Sequence, residues 1–145
     1  MAEFEFFDSR YPQLIIDNFN SQKVMQLLGA KLTEVRPGYA EVTLPWREEF
    51  TQQSGVVHGG ILATIGDNAG GYAAWTLEPN DGNVLAVEFK INLLAPAKGD
   101  KMVARGFVVK RGKSLTISRV DIFAVENGLE NLCAIMQQTL MCLRP

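Results

Sequence analysis

Gln52–Trp75 reads QQSGVVHGGILATIGDNAGGYAAW, a helical hydrophobic pattern that holds six glycines and one carboxylate, Asp67. Each glycine inside a helix costs about 1 kcal/mol relative to alanine, so Gly66, Gly70 and Gly71 together weaken an isolated helix by roughly 3 kcal/mol. Close contact must return that stability. At about 100° per residue, Ile61, Ile65, Ala69 and Tyr72 fall on one stripe, the predicted core face. Gly60, Ala63, Thr64, Asp67, Gly70, Gly71 and Ala74 fall opposite, a nearly bare surface suited to approach by another backbone or a thin ligand. A helix–helix contact between subunits would account for the glycines but not for an aspartate facing the contact.

The start of the helix carries a second signal. His58-Gly59-Gly60 leads straight into it, so the first-turn N–H groups lack intrahelical partners and point outward at the positive end of the macrodipole. With no side chain at Gly59 or Gly60, a substrate oxygen can reach the backbone, as an oxyanion hole for acyl transfer requires. Asp67 follows about two turns later, at ~12 Å along the axis. That is long for one reacting centre, and it predicts that Asp67 serves a site whose Gly59 comes from a second, antiparallel copy of the helix.

Gln52, His58-Gly59-Gly60 and Asp67, followed by VEFKINLLAPAKGD, resemble the hotdog-fold acyl-CoA thioesterases of the PaaI type over most of the chain. The resemblance implies an α+β hotdog fold, a long central helix wrapped by a curved antiparallel sheet of about six strands. It further implies homodimers assembling to homotetramers, with active sites at the dimer interface, and hydrolysis of an acyl-CoA thioester. Carried over by position, Gly59 is the backbone donor that polarises the thioester carbonyl. Asp67 is the nucleophile or general base from the facing subunit, and Gln52 is the amide that places the water or the carbonyl. The chain departs from some relatives at Gly71 and Ala86, which stand where those proteins carry a hydroxyl that assists the water.

Composition is compatible with this. A chain of 145 residues with 47% hydrophobic content reads as one domain, 1–145, able to bury a substantial core. A net charge of −2 gives no bulk attraction to nucleic acid. MAEFEFFDSRYPQ lacks the positive region and continuous apolar run of a signal peptide, and no stretch approaches the ~18 apolar residues of a membrane span; no membrane association and a cytoplasmic location are expected. Cys133 and Cys142 sit in one predicted strand, roughly 30 Å apart if extended, beyond disulfide reach. With one histidine no metal site is indicated, and no cofactor is expected beyond the coenzyme A that is part of the substrate.

Before the helix, Leu14–Phe19 reads as a turn or helix, and Ser21 as the cap of a short helix through Lys23, Val24, Leu27 and Leu28, ended by Gly29. Leu32–Arg36 and Tyr39–Leu44 flank Pro37-Gly38 as a hairpin, with Ala40, Val42 and Leu44 on one face. Pro45–Val57 is a loop in which Trp46, Phe50 and Gln52 could line an acyl pocket; packing under the loop is the other reading of Trp46 and Phe50. After the helix, Pro79-Asn80-Asp81-Gly82 makes a turn. Four long strands then form a predicted meander, the first with Leu85, Val87, Phe89, Ile91 and Leu93 turned to the core. Arg111-Gly112-Lys113 and Glu126-Asn127-Gly128 are hairpin turns.

Coenzyme A carries phosphates. Lys110, Arg111 and Lys113, with the Gly112 backbone and the Ser114 hydroxyl, form the densest positive cluster and could hold them; a solvated hairpin edge is the alternative. Lys90 is a weaker candidate, equally readable as a partner of Glu88 or Glu41 on the polar sheet face. His58 is read as fixing its loop through the imidazole, with direct proton transfer as the other possibility. Two rival functions fit the same residues: a hotdog-fold enoyl-CoA hydratase or dehydratase with His58 as base, and a non-catalytic acyl-CoA binding module. The acyl group, aromatic or medium-chain aliphatic, is not encoded in any motif.

Overall fold

Alternating side chains build the sheet, and the glycine-rich segment builds the helix it wraps. A computed structural model describes residues 3–6 and 11–145; residues 1, 2 and 7–10, part of the segment read for a leader, lie outside the described residues. The elements are α1 (Tyr11–Ser21), α2 (Lys23–Leu28), β1 (Lys31–Arg36), β2 (Tyr39–Pro45), a single 3₁₀ turn at Glu48–Phe50, α3 (Gly59–Trp75), β3 (Asn83–Leu93), β4 (Lys101–Arg111), β5 (Leu115–Glu126) and β6 (Leu129–Leu143). All strand pairs are antiparallel, in the order β1-β2-β4-β5-β6-β3. The sheet curls around α3, which packs on its inner face against Ala104, Val120, Ile122, Met136 and Leu140. This is the α+β hotdog arrangement.

The order corrects the predicted meander. β3 does not pair with β4; the chain crosses from β3 through residues 94–100 and β3 lies beside β6 at the far edge. Its apolar face is corrected as well. Leu85, Val87 and Phe89 are 55, 52 and 45% exposed, because an edge strand has a neighbour on one side only. A bulge between Ala86 and Glu88 also shifts the alternation. Ala86 pairs with Leu140 and Phe89 with Gln138, so Ala86, Phe89, Ile91 and Leu93 share the inner face, Leu85 shares the outer face with Met141, and Glu88 and Lys90 point outward.

The helix stripe is rotated from its predicted position. Leu62, Ile65, Gly66, Ala69, Gly70, Ala73 and Ala74 are buried, so Gly70 and Ala74 face this chain's own sheet, not a second body. A Cβ on Gly66 would press on Ile122 and Met136, and one on Gly106 of β4 would overlap the Ala69 carbonyl and the Gly70 amide. Two backbones touch there, and the missing side chains permit it. At the N-terminal end, Ser21 donates to Asn18 O within α1, and Gln22, not Ser21, is the N-cap of α2. Gly29 closes α2 in the left-handed region at φ 70°. The Pro37-Gly38 turn forms as expected, and Gly38 N–H donates to Thr76 Oγ1 at 2.7 Å, tying the β1–β2 hairpin to the end of α3.

Candidate active site

The N-terminus of α3 is capped by its own histidine. His58, at φ −61° and ψ 135°, accepts the Gly60 N–H on Nδ1 at 2.9 Å; its carbonyl accepts from Ile61 and Leu62 and its N–H donates to Phe50 O. Gly60 is thereby removed as a free donor, against the expectation that both glycines present amides. Gly59 N–H is left without an acceptor among the described residues. It opens on a cavity of about 360 Å³ shared with Gln52, Leu62, Leu93 and Pro96. The Gln52 side-chain oxygen accepts from Ser54 N–H, which turns the amide along its own loop.

Asp67 lies in a different cavity, of about 450 Å³. Its carboxylate is half-buried, and burial holds its pKa above the ordinary carboxylate range despite the opposing hydrogen bond from Gln138. The same cavity is lined by Gly71 and by Ala86, which the β3 bulge brings to the inner face. Thus Asp67, Gly71 and Ala86 are brought together, as are Gln52 and Gly59, but the two groups occupy separate cavities of one chain.

Several site residues carried no motif. Gln22 Nε2 donates to Asn68 Oδ1 at 2.8 Å and to Tyr72 Oη at 2.7 Å, and Tyr72 Oη donates to Asn18 Oδ1 at 2.7 Å. This network forms a polar wall of the Asp67 cavity, with the Trp75 ring packed edge-on to Tyr72 beside it. Asn18 lies on α1, whose sequence shows only amphipathicity, and Gln22 at the junction before α2, so no local pattern marks them. Gln138 had one: a polar residue at an inward position among Ala134, Met136 and Leu140.

Other candidates lie elsewhere. Phe50 is a core residue under the Arg47 guanidinium and Trp46 is exposed, and neither lines the Gly59 or the Asp67 cavity. Phe50 packs within the hydrophobic core. Lys90 borders a third depression on the outer face with Arg119 and Gln137; Glu41 is on β2, four strands away, and cannot be its partner. The basic β4–β5 turn is held from below. Glu78, completely buried, accepts from Arg144 through Nε at 2.6 Å and Nη2 at 2.8 Å, with Arg111 Nε 3.9 Å away. Arg144 Nη1 also donates to Lys113 O at 2.6 Å. Arg111 is therefore partly drawn to Glu78, while Lys110, Lys113 and Ser114 stay exposed.

Glu78 is the fully buried member of the pair and Arg144 the partly exposed one, so Arg144→Ala strands a buried carboxylate and should cost about 3 kcal/mol. A fall in the midpoint of chemical denaturation with unchanged slope is the check.

The model of the thioesterase superfamily matches residues 54–130, more than half of the chain and the whole of α3. The chain belongs to the thioesterase superfamily. This thioesterase, a thioester hydrolase by family, is 41% identical to a thioesterase family protein from Silicibacter pomeroyi. Their structures agree with a TM-score of 0.90 over 93% of this chain and 99% of that one. It is 34% identical over 92 residues to acyl-coenzyme A thioesterase 13 of Homo sapiens, 63% of this chain and 65% of that protein. The PaaI protein of E. coli shares the fold, with a TM-score of 0.82 at 20% identity over 93% and 94% of the two chains. No helix of the thioesterase among the described residues is long and apolar enough to cross a membrane.

Proposed function

We propose that this thioesterase cleaves acyl-CoA, using Gly59 N–H of one subunit and Asp67 of another at each site. The observation that carries this reading is the separation of the two groups. The unpaired amide and the half-buried carboxylate sit in different cavities of one chain, and both cavities reach β3: Leu93 borders the first, Ala86 and Leu85 the second. β3 is an exposed apolar edge, the kind of edge that pairs with a copy of itself. Two-fold antiparallel pairing of β3 with β3 sets the Leu85–Ala86 end of one strand beside the Leu93 end of the other. The two half-sites then become one cleft, and the dimer has two of them.

In that cleft the thioester oxygen rests at Gly59 N–H, where the helix terminus stabilises the negative charge of the tetrahedral intermediate. Asp67 either attacks the carbonyl carbon, giving an anhydride that water then hydrolyses, or takes a proton from water as it attacks. Coenzyme A leaves as a thiolate; with a thiol pKa near 8.5, it needs no strong general acid. The exposed Lys110, Lys113 and Ser114 turn is the candidate contact for the nucleotide phosphates. A hydratase would need His58 as base, but an imidazole that accepts Gly60 N–H on Nδ1 carries its proton on Nε2 and has no lone pair free to take another. Pairing of dimers to tetramers is the further assembly expected, measurable by light scattering.

Two assays test the proposal. Thiol release from a panel of aromatic and medium-chain acyl-CoAs should show turnover; no release with any of them would leave binding alone. Co-expression of Asp67→Asn with Gly59→Pro should then restore about one quarter of wild-type activity, because half of the dimers are mixed and each has one intact site. Two inactive variants that stay inactive when mixed would place Gly59 and Asp67 in the same chain's site.

A further inference from the structure

Beneath Asp67, on the sheet side of α3, lies a polar pair that the reaction as described above does not use. Gln138 of β6 is completely buried, and so is Ser118, its cross-strand neighbour on β5. Both occupy inward positions otherwise filled by apolar side chains such as Val120, Met136 and Leu140. Buried amides are costly unless every polar atom is matched, and this one is. Nε2 donates to Asp67 Oδ1 and, at 3.4 Å, to Asp67 O; Oε1 accepts the Ser118 hydroxyl at 3.3 Å. The two Asp67 oxygens, backbone and carboxylate, accept, which fixes Nε2 as the end of the amide that faces the acid, and the Ser118 hydroxyl, able to donate or accept, donates to the other end.

The helix is shaped to admit this pair. Gly70 lies one turn beyond Asp67 on the same side of α3, and a Cβ there would overlap Gln138 Oε1 and come within 2.7 Å of Ser118 Oγ. The glycine that reads in the sequence as part of a bare outer face is the space in which Gln138 passes under the helix.

We propose that Gln138 is the positioning residue for Asp67: it grips Oδ1 from the sheet, with Ser118 holding the amide, so that Oδ2 is the oxygen presented to the substrate. This rests on the reading of Asp67 as the reacting carboxylate. A free carboxylate would rotate and share its two oxygens with water; a gripped one keeps a single oxygen aimed, and misplacement by about 1 Å can cost a hundredfold in rate. The same bond favours the ionised form against the burial that disfavours it. Around the cavity, α1, α3, β3 and β6 contribute Asn18, Asn68, Asn83 and Leu140, and the one other titratable group there is the Tyr72 phenol, pushed up by its own burial. No other charge among the lining residues would obscure the titration of Asp67.

The experiment is a pH profile of kcat/KM for acyl-CoA hydrolysis by wild type, Gln138→Met, Gln138→Glu and Asp67→Asn. Gln138→Met keeps the volume and removes the donor. It should lower kcat about tenfold or more with KM within twofold, and move the acid limb to higher pH. Gln138→Glu is the same shape and donates when protonated, so it keeps the fold if the methionine variant does not. Two facing carboxyls cannot both ionise cheaply, and its acid limb should also move up. A limb at the wild-type position in whichever variant folds, with kcat within twofold, overturns the positioning role. An Asp67→Asn enzyme that still turns over overturns instead the reading of Asp67 on which it rests.

Discussion

Asp67→Asn is expected to abolish thiol release, with kcat reduced at least about a thousandfold, while binding of acyl-CoA measured by calorimetry stays within a few fold. Asparagine fills the same space, and its side-chain oxygen still accepts from Gln138, so the site keeps its shape. What is lost is the anionic oxygen, and neither covalent attack nor activation of water proceeds without it. The pH dependence follows from the same carboxylate. Burial raises its pKa in the folded protein, and the reaction uses the ionised form, so kcat/KM should fall on the acid side with a midpoint above the ordinary carboxylate range. Stability runs the other way. A raised folded-state pKa means that the neutral form is favoured by folding, so the contribution is full below the unfolded-state pKa and is lost as pH rises through the folded one. Above its raised folded-state pKa the ionised Asp67 is a burden on the fold, and there Asp67→Asn should melt at a higher temperature than wild type, with the difference shrinking in acid. An active variant would remove Asp67 from the role given to it, and one that melts lower on the alkaline side would show instead that burial does not raise its pKa.

The legible parts of this protein are those whose causes are local in sequence. Pro37-Gly38 between two alternating runs specifies the β1–β2 hairpin because the turn's backbone demands fall on those two residues. His58-Gly59-Gly60 marks the start of α3 and the open amide at Gly59 for the same reason, although the cap that His58 places on Gly60 was not read from it. What sequence could not yield was set by partners far along the chain. β3 follows α3 directly, yet its neighbour is β6, more than forty residues on, and alternation alone does not reveal a bulge at Val87 that moves Ala86 to the cavity side. Gly66 and Gly70 were ambiguous because a residue without a side chain is equally suited to a packed interface and an open one. Gly106 could have decided between them. A glycine inside a strand signals close backbone approach, and the approach is to Ala69 and Gly70. Asp67 was singled out as a candidate by its charge on a helix face; Gln138 was visible only as a polar break in the inward run of β6, and that it meets Ser118 and Asp67 needed the register of two strands to be seen.

Gly59→Pro should fold normally and lose about 100- to 1,000-fold in kcat, which makes it the sharpest probe of the other half of the site. Proline is at home in the first position of a helix because its fixed φ suits that turn and the amide it lacks has no helical acceptor. The residue before it must be extended, and His58 already is, at φ −61° and ψ 135°. Here the lost N–H is the one first-turn amide without an acceptor among the described residues, so no intrachain hydrogen bond is broken. The added ring would meet Leu93 Cδ1, 2.7 Å from a Cβ at this position; Leu93 is an exposed side chain at the end of β3 and can turn away. Helix content and melting temperature should therefore match wild type, while the charge on the tetrahedral oxygen loses its donor. Because that donor acts chiefly in the transition state, kcat should fall much more than KM rises. If Gly59→Pro folds and keeps kcat within threefold, the oxyanion does not form at this helix end, and the catalytic pairing of two chains loses its first member.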